Sequence, residues 1–284
     1  MAITNSCVRF LIWAKKQGVS FEKVLTLGHL ENQTDKEIID ILSKKNPGLI
    51  DPEKINWQDF FADTVFSALG AISLESLDYS GYENASLKYD LNEPIPSSFY
   101  GQYSLIVDGG TLEHVFNFPQ AIKNCMQALC MEGHFIGFSP ANNLMGHGFY
   151  QFSPELFYRI FSEENGFKIK GLFLVAAGFE VDATSWYEVE DPKSLRERVT
   201  LTNCIPAYLM VVAKKVADTE PFNNRIFQSD YIIEWEKNNI QTSQPEITRN
   251  PTLFTRIARK IFNYPAKVEN LEKINSRFFK KRNY

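Results

Sequence analysis

Apolar residues recur along the first 217 positions in two rhythms. Residues 5–17 (NSCVRFLIWAKKQ) repeat at helical spacing through Val8, Leu11 and Ile12 and stop at Gly18, which predicts a helix. Residues 34–45 carry a stripe of Ile38, Ile39, Ile41 and Leu42, with Thr34 placed to cap it. Further helices are predicted over 57–70, ended by Gly70, over 119–131, with proline in its first turn, and over 154–164. Between them lie short apolar runs at 24–28, 71–77, 85–89, 103–107, 134–138, 168–176 and 207–215. Strands separated by helices indicate βαβ units and a parallel sheet.

Composition narrows the class. The chain has 284 residues, 44% hydrophobic and 23% charged, which excludes collagen-like and fully disordered chains. Its formal net charge of −4 gives no reason to expect a nucleic-acid partner. The four cysteines, Cys7, Cys125, Cys130 and Cys204, form no zinc-type spacing and suit a reducing cytoplasm. No apolar run approaches the length of a membrane span, and Arg9 interrupts the N-terminal one. Residues 1–217 carry 18 basic and 26 acidic side chains, and residues 218–284 carry 12 and 8. That shift divides the chain into a domain at 1–217 and a helical, basic C-terminal extension at 218–284.

In an open parallel sheet, ligands bind outside the carboxyl ends of the strands. Four such ends here carry Gly28, Asp78, Asp90 and Asp108-Gly109-Gly110. Glycine admits a ligand close to the backbone, and a carboxylate can accept from ribose hydroxyls or an exocyclic amine. The plainer reading is that Asp and Gly end strands and start turns.

The order of these residues resembles the class I S-adenosylmethionine (SAM)-dependent methyltransferases. YSLIVDGGTLEHV at 103–115 is similar to that family's fourth strand and following turn, with its Leu-Glu-His triplet. SLDYSGYENASLKYDLNEPIP at 76–96 is similar to its second and third strands, and EGHFIGFSP at 132–140 to its fifth. The resemblance implies a Rossmann-like three-layer α/β sandwich with a mostly parallel seven-stranded sheet, one strand antiparallel, and SAM as cofactor. It places Gly28 near the methionine part, Asp78 on the ribose, Tyr79 beside the adenine, and Asp90 and Leu91 at the adenine edge and face. Gly109 and Gly110 would leave room at the sulfonium, with Leu112 and His114 walling the pocket. The first strand departs from the family: His29 and Leu30 stand where spaced glycines recur. Two functions follow: methyl transfer to a small-molecule or glycan acceptor, or a methyltransferase-like binding or scaffold protein without turnover.

A hydroxyl acceptor needs a base. His147 lies in ANNLMGHGFYQF (141–152), between Gly146 and Gly148 and three residues before Tyr150, and is the first candidate; His114 is the alternate. His134 reads as a packing residue. Residues 177–206, with Trp186, Tyr187, Arg196 and Arg198, form a second candidate lid. In PTLFTRIARKIFNY (251–264), Leu253, Phe254, Ile257, Ile261 and Phe262 share a helical face. That face suits docking on its own domain or peripheral contact with anionic lipid.

Overall fold

The computed structural model describes residues 2–176, 185–238 and 276–283. The proposed tail helix at 251–264 lies outside them, as do residues 177–184 of the second candidate lid. Chain order runs β1 (Ala2–Thr4), α1 (Asn5–Lys16), β2 (Lys23–Leu27), β3 (Glu31–Gln33), α2 (Lys36–Lys45), α3 (Asp63–Ala68), β4 (Ser73–Asp78) and β5 (Leu87–Lys88). It continues with β6 (Tyr103–Asp108), α4 (Phe118–Ala128), β7 (Leu129–Asn142), α5 (Pro154–Ile160), β8 (Phe167–Ala176), β9 (Ser185–Val189), α6 (Pro192–Leu195), β10 (Ala207–Lys215), α7 (Ser229–Lys237) and β11 (Phe279–Asn283).

The main sheet has the order β11-β9-β8-β10-β7-β6-β2-β4-β5. From β7 to β5 every pairing is parallel. β10 lies antiparallel between β7 and β8, as the resemblance implies. The Rossmann-like α/β sheet therefore stands, but the count of seven strands with one reversed does not. Among the described residues there are nine, because β9 and β11 extend the edge beyond β8 in two further antiparallel pairings.

Alternation along each strand splits the core into two layers. Leu209, Val211 and Ala213 of β10 pack with the cluster built on α4 and α5, while Met210 and Val212 pack with the cluster built on α1, α2 and α3. A period of two with both faces covered is what a buried sheet requires.

Three element boundaries differ from expectation for local reasons. Asp35, not Thr34, caps α2, accepting from Glu37 N at 2.8 Å, while Thr34 Oγ1 donates to Asn32. The helix starting at Phe118 stops at Ala128, where Leu129, fully buried, turns into β7 opposite Tyr103. Of the helix predicted over 57–70, only 63–68 is α-helical, because residues 60–62 bond to the segment after β2 instead. Asn32 N donates to Phe60 O at 2.7 Å and Ala62 N to Leu30 O at 2.8 Å. This pairing fixes the chain immediately beyond Gly28.

The stretch after 217 contacts helix α5 at one described piece and the sheet at the other. Ser229, at the start of α7, donates through N and Oγ to Glu155 at 2.7 and 2.9 Å. β11 pairs with β9, and Arg282 meets Glu188 at 2.7 Å while Lys280 pairs with Glu190. Part of the charge split along the sequence is thus complementarity across neighbouring strands. The second candidate lid is corrected here too. Trp186 and Tyr187 are buried in β9, and Arg198 pairs with Asp230 at 2.5 Å.

Candidate functional site

The carboxyl ends of β2, β4 and β6 are tied together by short bonds. Gly28, at φ 77°, donates its N–H to Leu77 O at 2.7 Å. Thr111 Oγ1 donates to Leu27 O at 2.7 Å. Asp108 is fully buried and caps the turn after β6: its Oδ1 accepts from Thr111 N at 2.8 Å and from Gly110 N and Leu112 N at 3.3 Å. Burial pushes the Asp108 carboxyl up, and these backbone donors partly restore the charged form.

Asp78 and Asp90 stand half-buried at the ends of β4 and β5. One oxygen of each starts a turn, Asp78 accepting from Ser80 N at 2.7 Å and Asp90 from Asn92 N at 2.9 Å. Tyr79 is 76% exposed beside them. Leu91, expected at the adenine, and Leu112, expected as a pocket wall, are both buried in the apolar core.

Gly109 was expected to leave space. Its Cα face is covered: a Cβ built there would lie 2.7 Å from Leu30 Cδ2, and Leu30 is itself buried. His29 closes the neighbouring position. Its Nδ1 lies 2.6 Å from Glu83 O, its Nε2 3.1 Å from Asp63 Oδ2, and its ring stacks on Phe61. The side chains that replace glycines after β2 thus pack across its carboxyl end.

The other side of the rim holds the chemistry. The turn Leu112–His114 follows β6, and the loop 143–151 leaves β7 and folds back over it. Phe149 N and Tyr150 N both donate to Glu113 O, at 2.8 and 3.3 Å. A Cβ on Gly148 would sit 2.8 Å from that same carbonyl oxygen, so only glycine permits the approach. The Gly-His-Gly run therefore seats His147 over the Glu113 side chain. His147 Nε2 lies 3.3 Å from Glu113 Oε1, and the His114 and His147 ring centroids are 5.4 Å apart. Tyr150, expected in the chemistry, instead donates its hydroxyl to Phe116 O at 2.6 Å and holds the loop to the turn. Asn143 anchors the loop's first half through Asn203 O and Ile205 O, both at 2.9 Å.

Electrostatics separate Glu113 from His114. Glu113 is 1% exposed, and burial, then the nearby Asp108 charge, push its carboxyl well above the ordinary range. His114 is lowered, by desolvation first and His147 second. Both histidines reach solvent. The sequence reading brought forward the two histidines but not Glu113; the signal was a carboxylate between Leu112 and His114 in an otherwise apolar turn. His134 is buried as expected of a packing residue.

Strand order and the reversed β10 give a Rossmann-like α/β fold. The chain resembles class I methyltransferases. No protein-family model matches the sequence, and no curated protein matches it. Solved structures similar to it include the branched-chain polyamine synthase from Thermus thermophilus, 14% identical, with 78% of this chain covered and a TM-score of 0.38. This chain spans 60% of that protein's length, and that structure holds N4-aminopropylspermidine and 5'-methylthioadenosine. The 1,6-didemethyltoxoflavin-N1-methyltransferase of Burkholderia thailandensis, with S-adenosylhomocysteine bound, is 9% identical at a TM-score of 0.39, covering 74% of this chain and 78% of that one. The methyltransferase CalH, also with S-adenosylhomocysteine, is 10% identical at 0.39, covering 75% and 56%. No helix among the described residues is long and apolar enough to cross a membrane.

Proposed function

We propose that this chain transfers a methyl group from SAM to a small-molecule or glycan acceptor. The observation that carries the reading is the meeting of Glu113, His114 and His147 at the carboxyl ends of β6 and β7, on the same rim as Asp78 and Asp90. Bound there, SAM would supply an electrophilic methyl group for in-line displacement, so the protein's work is alignment and activation of the acceptor. The half-buried Asp78 carboxylate suits ribose hydroxyls, the exposed Tyr79 ring suits the adenine face, and Asp90 suits its amine. Gly28 and Gly110 offer backbone to the remainder.

At the acceptor end, His147 takes the proton from a hydroxyl. Glu113, seated behind it with Oε1 3.3 Å from His147 Nε2, orients the ring. His114 lines the same opening.

A second reading is favoured by one specific feature. Leu30 over Gly109, and His29 clamped between Glu83 and Asp63, fill positions that the resemblance leaves to glycine. A binding or scaffold protein without turnover would look like this. Titration calorimetry of the full chain with SAM and with S-adenosylhomocysteine separates the two: saturable binding supports transfer, and no heat at millimolar ligand supports the scaffold.

A further inference from the structure

We propose that Glu113, His114 and His147 bind one divalent transition-metal ion of the zinc and cobalt kind, through one carboxylate oxygen and one ring nitrogen from each histidine. The three donor atoms already lie within 4.8 Å of one another. An ion with bonds of about 2.0–2.2 Å holds its ligands roughly 3–4 Å apart, so small rotations of two exposed imidazoles close the set.

Three observations point the same way. Glu113 is 1% exposed, yet its Oε2 has no hydrogen-bond partner. The other oxygen of the same carboxylate, Oε1, lies 3.3 Å from His147 Nε2, so a cation drawn to this buried, under-satisfied group would sit beside the imidazoles. The donor set is the second observation. Two imidazoles and a carboxylate suit zinc, cobalt or ferrous iron, whereas calcium and magnesium take all-oxygen shells. The third is rigidity of the support. Gly148 presses the loop against the Glu113 backbone, and Tyr150 bonds to Phe116 O, so His147 and Glu113 are held from both sides. Because the histidines face solvent, at least one coordination position stays open, as in catalytic rather than structural sites.

The ion site stands whether or not the chain binds SAM; its link to the acceptor rests on the transfer reading above. An imidazole nitrogen that holds the ion has no lone pair left for a proton. In the ion-bound chain, activation of the acceptor would pass from His147 to the ion, which lowers the pKa of a bound hydroxyl so that its proton leaves to solvent water. That favours acceptors that present an ionisable oxygen.

The test uses the full chain, freed of metal by chelation and dialysis. Cobalt(II) is titrated in and read by its visible absorption, and zinc(II) by calorimetry. One ion per chain is expected, with His114→Ala and His147→Ala each weakening it at least 10-fold, since even outer partners carry that much. Both residues are exposed, and circular dichroism checks that the variants fold. Cys204→Ser, which removes the exposed thiol, should leave binding intact. No cobalt or zinc binding, binding unchanged in both histidine variants, or binding lost with Cys204 would each overturn the proposal. SAM calorimetry on the metal-free chain reports on the transfer reading independently.

Discussion

Gly148 packs so closely on Glu113 that a Cβ would come within 2.8 Å of the Glu113 carbonyl oxygen, and that contact seats the neighbouring His147 3.3 Å from the Glu113 carboxylate. Residues far apart in sequence, following different strands, are thereby joined into one unit. Gly148→Ala should push the loop off the turn and lower methyl transfer nearly as far as loss of His147 itself. His147→Ala should lower turnover by about 10²–10⁴-fold, the usual worth of a positioned base, and leave SAM affinity almost unchanged. Rate measurements on both variants, with acceptors found by screening sugars and small acids for methyl uptake, check this. A Gly148→Ala enzyme with full activity would dissolve the link.

Asp78 supplies the matching test at the cofactor end. Its carboxylate is half-buried, and Ser80 occupies Oδ1. Asp78→Ala should weaken SAM binding by about 1.5–3 kcal/mol, the scale of hydrogen bonds to a charged acceptor. Asp78→Asn, which keeps the turn, separates loss of charge from loss of the turn. Equal affinity in wild type and both variants removes the ribose assignment.

Much of the scaffold was legible in the chain because burial on both sides of a sheet leaves strong apolar runs. The strands at 103–107 and 207–215 are of this kind. The edge beyond β8 was not legible, since β9 pairs with a strand some ninety residues later and its Trp186 and Tyr187 read simply as part of a lid. At the site, the histidines could be found because they are rare and fall after strands. Glu113 could not be weighted, since its importance comes from a backbone contact to Phe149 and Tyr150 that only the folded loop creates. Leu30 was noted as a departure, but its seat over Gly109 depends on residues 60–62 leaving a helix to pair with it.

Leu30 decides between transfer and scaffold. If its side chain stands where a ligand must pass, Leu30→Ala should tighten SAM binding, at a stability cost of about 2–5 kcal/mol for a buried leucine. Calorimetry and urea unfolding measure the two effects together. Lower stability without tighter binding would show that Leu30 is only core.

His134 predicts acid sensitivity. It is buried in β7, and burial, followed by Lys214 and Lys170, pushes its pKa down to about 4. The unfolded chain therefore takes up a proton near pH 6.5 that the folded chain refuses. Stability should be full above that pH and fall as pH drops toward 4, by on the order of 2 kcal/mol. His134→Leu should flatten this loss between pH 7 and 4.5 in urea titrations. An unchanged slope would place the sensitivity elsewhere.

The sheet edge tests whether charge or apolar burial holds the far end of the chain. Arg282 meets Glu188 at 2.7 Å, but both side chains are more than a third exposed. Exposed pairs contribute about 0–1 kcal/mol, and salt screens them. Phe279, by contrast, is 3% exposed and joins the core cluster that includes Tyr187 and Val189. Truncating a buried phenylalanine costs about 3–5 kcal/mol. Phe279→Ala should therefore destabilise the whole chain far more than Arg282→Ala, and the gap should persist in 1 M salt. The reverse order would mean that β11 is held by its charges, and the basic end of the chain would then be free to exchange Glu188 and Glu190 for another acidic surface.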